Sequence, residues 1–404
     1  MKRYGFSRLA LSVLCGASMS LLMPALASAG WVPQNSGITQ RIYSVCFPAN
    51  ASTGYAAGFG GKILKTLNGG AVWDTLHTGT IQDLFSVHFP VDAANGYAAG
   101  RNGVLLNTTN GGAVWDTLHP GTTEILSSVQ FPVDATTGYV VGAAGTIRKS
   151  TNGGAAWAAQ TSGTTNYLYA VYFPGNATTG YATGAAGTLR KTTNGGTAWV
   201  TQTSGTTADL RSVHFPVDAT TGYAVGGPGT ILRTTNGGTA WVAQTSGTGY
   251  DLIGVHFPVN ALTGYAVGWN GTILKTTNGG TGWIPQATGT TQNLSSVQFP
   301  VDALTGYATG WNGTILKTMN GGGVEEGSSQ TGPIGQAVKV TPNPFASFAT
   351  LPGHEAGRFS LYDISGRKVG TYRGDRVGEG LSAGVYFLRP KDGSTPPIRV
   401  VKVR

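Results

Sequence analysis

The sequence predicts an all-β protein, a seven-bladed β-propeller followed by a small C-terminal β-sandwich, and three observations carry that expectation. One phrase, built on Phe-Pro, Gly-Tyr, Asn-Gly-Gly and Trp, recurs at intervals of 42 residues without an insertion. Glycine, at 64 of 404 residues, is more than twice its usual share of roughly 7 %, and charged residues are 11 % against roughly 25 %. The last seventy or so residues leave the repeat for short alternating apolar runs broken by Gly and Asp. Abundant Gly without a Gly-X-Y period, beside many aromatic and β-branched residues, reads as strands and tight turns. Low charge with 40 % apolar content excludes a disordered charged-tail protein.

Residues 1–29 read as an export signal. Lys2, Arg3 and Arg8 precede an apolar run over residues 9–26, and Ala27-Ser28-Ala29 supplies a small-residue cleavage site before Gly30. Pro24 and that small-residue end argue against a retained membrane anchor, and Cys15 after Leu14 is a poor lipidation site. No transmembrane segment is then expected after cleavage. Cys46, the one cysteine beyond the signal, cannot form an internal disulfide.

Residues 30–322 hold the repeats. Phe-Pro begins at Phe47, Phe89, Phe131, Phe173, Phe215, Phe257 and Phe299, and the tyrosine of Gly-Tyr falls at Tyr55, Tyr97, Tyr139, Tyr181, Tyr223, Tyr265 and Tyr307. A period near 40–45 with several short strands per unit is the mark of a propeller blade. Each unit reads as four strands, exemplified by "LSSVQF", "GYAVG", "GTILKT" and "WVAQTSG". Thr-x-Asn-Gly-Gly-x-x-Trp joins the third to the fourth, and Asn-Gly is a strong hairpin signal because both residues tolerate positive φ. The tryptophans fall at Trp31, Trp73, Trp115, Trp157, Trp199, Trp241 and Trp283, and the next place in the register is Glu325. The last unit therefore lacks a fourth strand while the chain starts with a spare one, "WVPQNSG" at residues 31–37. Pairing the two closes a ring of seven and removes an exposed edge.

"GYAVGWNGTILKTTNGG" resembles the repeat of photosystem II stability/assembly-factor-like propellers, which also occur widely in non-photosynthetic bacteria. The turn resembles the Asp-box of bacterial neuraminidase repeats and sortilin-type propellers, with Asn in place of the usual Asp in every copy. The resemblance covers residues 31 to about 322. It implies the fold and says little of function, because such propellers include scaffolds, receptors and hydrolases.

Residues 323–336 are a Gly/Ser-rich linker. Residues 337–404 then read "VKVTPNPF", "FSLYDISGRKV", "LSAGVYFLR" and "IRVVKVR". Pro342-Asn343-Pro344, Asp363 to Arg367, Gly384-Val385-Tyr386 and the basic last strand resemble, in that order, the C-terminal sorting domain of type IX secretion substrates. A generic immunoglobulin-like adhesion module is the alternative. The resemblance implies the type IX machinery as a partner for residues 337–404, and an extracellular or outer-membrane-surface location reached through the periplasm. Export would separate the chain from photosystem assembly, so no photosynthetic role is inferred.

The net charge of +9 does not point to nucleic acid. Residues 31–332 hold twelve basic and twelve acidic residues, so the excess sits in the signal and the tail. Neuraminidase-type chemistry needs an Arg cluster, a nucleophile and an acid on inserted loops, and no repeat carries an insertion. Asp209 and Asp251 hold the same place in adjacent repeats and could flank a glycosidic bond. The competing reading makes them loop-to-strand turn residues, as Asp83 and Asn293 would be in their own repeats. His88, His214 and His256 share one place, but only two are in adjacent repeats, too few for a metal site. No metal, cofactor or catalytic residue is assigned.

The loops between second and third strands carry what varies. They read Phe59-Gly60, Arg101-Asn102, Ala143-Ala144, Ala185-Ala186, Gly227-Pro228, Trp269-Asn270 and Trp311-Asn312. Repeats 6, 7 and 1 thus bring Trp269, Trp311 and Phe59 to neighbouring places on one face, with Asn270, Asn312, Arg101 and Tyr43 beside them. Aromatic faces rimmed by hydrogen-bonding groups suit a sugar or an extended peptide. The other reading is that each Trp folds over its own loop. The expected function is a secreted or cell-surface, non-enzymatic module that binds an unknown glycan or protein on this variable face. A glycan-active hydrolase using Asp209 and Asp251, and a purely structural surface or adhesin spacer, are the alternatives.

Overall fold

In a computed structural model of the chain, residues 30–323, 347–351, 358–363, 368–390 and 398–402 are described. They fall in two compact units that divide between residues 325 and 326. The expected signal, most of the expected linker, and Pro342-Asn343-Pro344 lie outside the described residues.

The first unit is a ring of seven four-stranded antiparallel sheets. Blade 1 runs outward from Ile42–Cys46 through Gly54–Gly58 and Ile63–Thr66 to Asp74–Leu76. Blades 2 to 6 repeat that order. Blade 7 takes Leu294–Gln298, Gly306–Gly310 and Ile315–Thr318 from its own repeat, and its outer strand is the N-terminal Val32–Gln34. Val32 stands opposite Lys317 and Gln34 opposite Ile315. This is the closure that the tryptophan register predicts. Inner strands touch their neighbours all round, with Leu294–Gln298 of blade 7 against Ile42–Cys46 of blade 1.

Two local features fix each blade. In the Asn-Gly-Gly turn of blade 1, Asn68 Oδ1 accepts the Val72 N–H at 2.9 Å and the Thr66 hydroxyl at 3.0 Å, while Thr66 Oγ1 accepts the Gly70 N–H at 2.9 Å. Only the side-chain oxygen is used, so Asn serves where the related turns carry Asp. Gly69 and Gly70 sit at φ of 66° and 88°, the left-handed region that a side chain resists. The second feature is the Gly of Gly-Tyr: a Cβ on Gly54 would run into the ring of Phe47, and the same collision recurs in the other blades.

The blades are joined by a repeated seam. Each Gly-Tyr ring stacks on the Phe of the next blade, with centroids 3.7 to 4.0 Å apart, and that Phe meets a Trp edge-on near 6 Å. Tyr55 Oη is shared between Ala93 O at 2.8 Å and Gly111 O at 3.1 Å, both in blade 2. The other six tyrosines repeat this, and Tyr307 closes the ring on Ala51 and Gly69. Lys65 Nζ reaches the same Gly111 carbonyl at 2.7 Å, as its counterparts do in four other blades. At the seam of blades 6 and 7 the edge-on partner of Phe299 is Trp31, 5.9 Å away and 2 % exposed.

The second unit, among the described residues, is one antiparallel sheet in the order Lys368–Arg373, Arg358–Asp363, Gly384–Pro390 and Ile398–Lys402. Leu351, Phe359, Leu361, Val377, Leu388 and Val400 form its core. A second sheet of the expected sandwich is not among the described residues.

Because Trp31 completes both a seam and a blade, Trp31→Ala is expected to lower stability by about 3–5 kcal/mol, read from urea unfolding. An unchanged midpoint would contradict closure by the N-terminal strand.

Candidate functional site: the variable face and the central channel

The inner strands line a channel, and the place that starts each of them runs Arg41, Asp83, Ile125, Tyr167, Asp209, Asp251 and Asn293 around the ring. Its backbone carbonyl accepts the N–H of the first residue in the variable loop of the same blade, as Asp251 O does from Trp269 at 2.9 Å. Its side chain reaches the loop of the preceding blade. Asp83 Oδ1 accepts the Gly60 N–H at 3.0 Å, Asp209 Oδ1 the Ala186 N–H at 3.1 Å, and Asn293 Oδ1 the Asn270 N–H at 2.9 Å. Asp83, Asp209 and Asn293 are therefore caps that tie one blade to its neighbour.

Asp209 is further committed. Its Oδ2 meets Arg211 at 2.9 Å and accepts the Tyr169 hydroxyl at 3.0 Å, and the Arg211 guanidinium lies 4.1 Å from the Tyr169 ring centre. Asp251 has no such partners, because the loop it faces is Gly227-Pro228 and proline has no N–H. The Asp251 carboxylate packs instead where a side chain on Gly227 would stand. The pair proposed for hydrolysis thus divides into a fully occupied cap and a carboxylate without a donor.

The three aromatic residues hold equivalent loop places on three adjacent blades. Phe59 is 50 % exposed and Trp269 44 % exposed. Trp311 is half-buried, because the Arg41 guanidinium lies 3.4 Å from its ring centre. Arg101 pairs with Asp83 at 3.0 Å. Tyr43 lies edge-on to Phe85 at 5.0 Å, and its hydroxyl pKa is raised, mainly by burial and next by Asp83. Asn270 and Asn312 have a backbone role: they sit at φ of 53° and 51°, which Asn tolerates best among residues with a side chain. The Asn312 amide also donates to Gln292 at 2.8 Å. Reading the sequence passes over Arg41, although its 42-residue alignment with Asp83, Asp209 and Asp251 is the signal that finds it.

At the opposite end of the inner strands the three histidines that share one repeat place are seam residues. His88 Nε2 donates to Phe131 O at 3.0 Å, and His256 Nδ1 accepts the Phe299 N–H at 3.3 Å. Gln130 and Gln298 hold the same place and accept the N–H of Phe173 and Phe47. His214 meets the Tyr172 hydroxyl at 3.3 Å and the His256 ring at 4.9 Å between centroids. Among the described residues no group of three or more His, Cys, Asp or Glu could hold a metal ion. Burial lowers the pKa of all three histidines, that of His256 to about 4 and that of His214 well below its ordinary value.

The comparisons with known proteins agree with this architecture. The family model of Photosynthesis system II assembly factor YCF48 matches residues 23–122 and 157–248. A solved structure described as YCF48 bound to D1 peptide is 18 % identical with a TM-score of 0.61, over 74 % of this chain and 99 % of that one. YCF48 from Cyanidioschyzon merolae is 19 % identical with a TM-score of 0.61, over 72 % and 98 %. No curated protein matches the chain.

The histidines give a pH dependence. Their folded pKa values lie below the ordinary 6.5, so the unfolded chain binds more protons and stability falls as pH drops from about 6.5 toward 4. The slope is at most about 1.4 kcal/mol per pH unit for each histidine. His256→Gln, which places the residue of blades 3 and 7 in blade 6, is expected to flatten the curve in thermal melts across that range. A melting temperature that does not depend on pH in the parent chain would contradict the assignment.

Proposed function

We propose that this photosystem II assembly-factor-like seven-bladed propeller is a protein-binding module whose ligand is an extended peptide segment held on the variable face. The observation that carries the reading is the division of labour within the repeat: seam and turn residues are constant, whereas the loops of blades 6, 7 and 1 place Trp269, Trp311 and Phe59 at three adjacent positions. Rigid aromatic side chains exposed on a preformed frame give contact area with little ordering cost. The structure of a YCF48 propeller with D1 peptide supports a peptide over a sugar as the ligand class.

Secretion completes the proposal. The leader-like residues 1–29 and the type IX-like tail at 337–404 favour a chain that works outside the cell or on the outer-membrane surface, with the tail read by the export machinery. Its role there is binding without catalysis, in keeping with the Asp209 carboxylate being occupied by Arg211, Tyr169 and a loop N–H.

A screen of displayed peptides against the full chain, run beside a glycan array, tests this reading. Peptides are expected to be selected, and Trp269→Ala with Trp311→Ala is expected to weaken them at least tenfold while the circular dichroism spectrum is kept. Selection of glycans alone, or peptides indifferent to both substitutions, would overturn it.

A further inference from the structure

The variable face contains one aromatic contact that the chain fills itself and one that it leaves open. In blade 7 the Trp311 ring is covered by the guanidinium of Arg41, which comes from blade 1. In blade 6 the equivalent ring is Trp269, and the residue that stands where Arg41 does is Asn293. Asn293 spends its side-chain oxygen on the Asn270 N–H, so the Trp269 ring has no cation over it and stays 44 % exposed. A tryptophan face is the best aromatic partner for a cation.

The same blade carries, at the head of its inner strand, a negative charge without a counter-ion. Asp251 is joined to Trp269 through the backbone bond from Trp269 N–H to Asp251 O, at 2.9 Å. Its carboxylate is half-buried and has no hydrogen-bond or ion-pair partner among the described residues. The two equivalent aspartates are satisfied by a loop N–H and an arginine each: Asp83 by Gly60 and Arg101, Asp209 by Ala186 and Arg211. Pro228 removes the first of these from Asp251, and no arginine supplies the second.

We infer that the open Trp269 ring and the Asp251 carboxylate form a subsite for a guanidinium, the arginine side chain of a peptide bound on this face. The inference rests on the peptide-binding reading above and names the chemistry of one residue in the ligand. Arg41 on Trp311 is the built-in version of the same cation–ring contact. Asp251 supplies the charge that selects arginine over a neutral side chain of the same shape.

The test uses the full chain labelled with ¹⁵N at the tryptophan indoles, titrated with acetyl-Gly-Arg-Gly-amide and with its neutral citrulline counterpart. The Trp269 indole signal, assigned from Trp269→Ala, is expected to shift saturably with the arginine probe and at least fivefold more weakly with citrulline. Asp251→Asn is expected to weaken the arginine probe at least fivefold while the remaining indole signals keep their positions. Equal response to the two probes, or an unchanged arginine titration in Asp251→Asn, would overturn the subsite. Display-selected peptides that need Trp269 and Trp311 but ignore Asp251→Asn would leave the peptide-binding reading standing and remove the arginine subsite. Peptides indifferent to all three would remove both.

Discussion

The tyrosine at each seam is the interaction on which the molecule depends. Its ring stacks on the phenylalanine of the next blade and its hydroxyl is shared between two carbonyls of that blade, one from the Phe-Pro loop and one from the Asn-Gly-Gly turn. One side chain therefore sets the distance, the tilt and the height of its neighbour. A closed ring needs all its seams to agree, because an error at one is carried round to the last, where Tyr307 must still find Ala51 and Gly69. That requirement accounts for a repeat with no insertion and with fixed residues at the stacking, turn and collision-prone glycine positions.

Freedom is left where the seam does not reach. The first residue of each variable loop serves the frame through its backbone, the N–H donating to the head of the inner strand and the carbonyl, in five blades, accepting from the residue three places on, so its side chain has ranged over Phe, Arg, Ala, Gly and Trp. The place at the head of each inner strand is partly free: it caps the preceding loop when it is Asp or Asn beside an available N–H, and is released otherwise. Arg41 and Asp251 are two released cases, on either side of the arc made by blades 6 and 7. On the proposed reading, binding chemistry is accordingly a matter of a few side chains placed on a frame that tolerates their exchange.

Much of the frame was legible in the amino-acid order because a period and its register are one-dimensional facts. The missing tryptophan at Glu325 and the extra one at Trp31 together specify how the ring closes. The roles at the site were harder to read, since each depends on a residue one blade away. Asp209 looks like half of a carboxylate pair until Ala186 and Arg211 are seen to occupy it. His88 and His256 share a place whose role is not evident from the sequence until the backbone of the next Phe-Pro is seen to use their ring nitrogens. Asn270 and Asn312 look like hydrogen-bonding rims, while their backbone φ gives a conformational reason for asparagine. The tail's strands were legible from their alternation, but alternation does not say how many sheets they make.

The central claim is that the frame and the binding surface are separable. It is tested most directly by one loop-swapped chain in which Phe59, Trp269 and Trp311 become alanine, the residue of blades 3 and 4. The account predicts an unfolding free energy within about 1–2 kcal/mol of the parent, the Phe59 and Trp269 positions being exposed and the loss coming from the Arg41–Trp311 contact, with capture of the parent's selected peptides lost. A large fall in stability with peptide capture retained would contradict it.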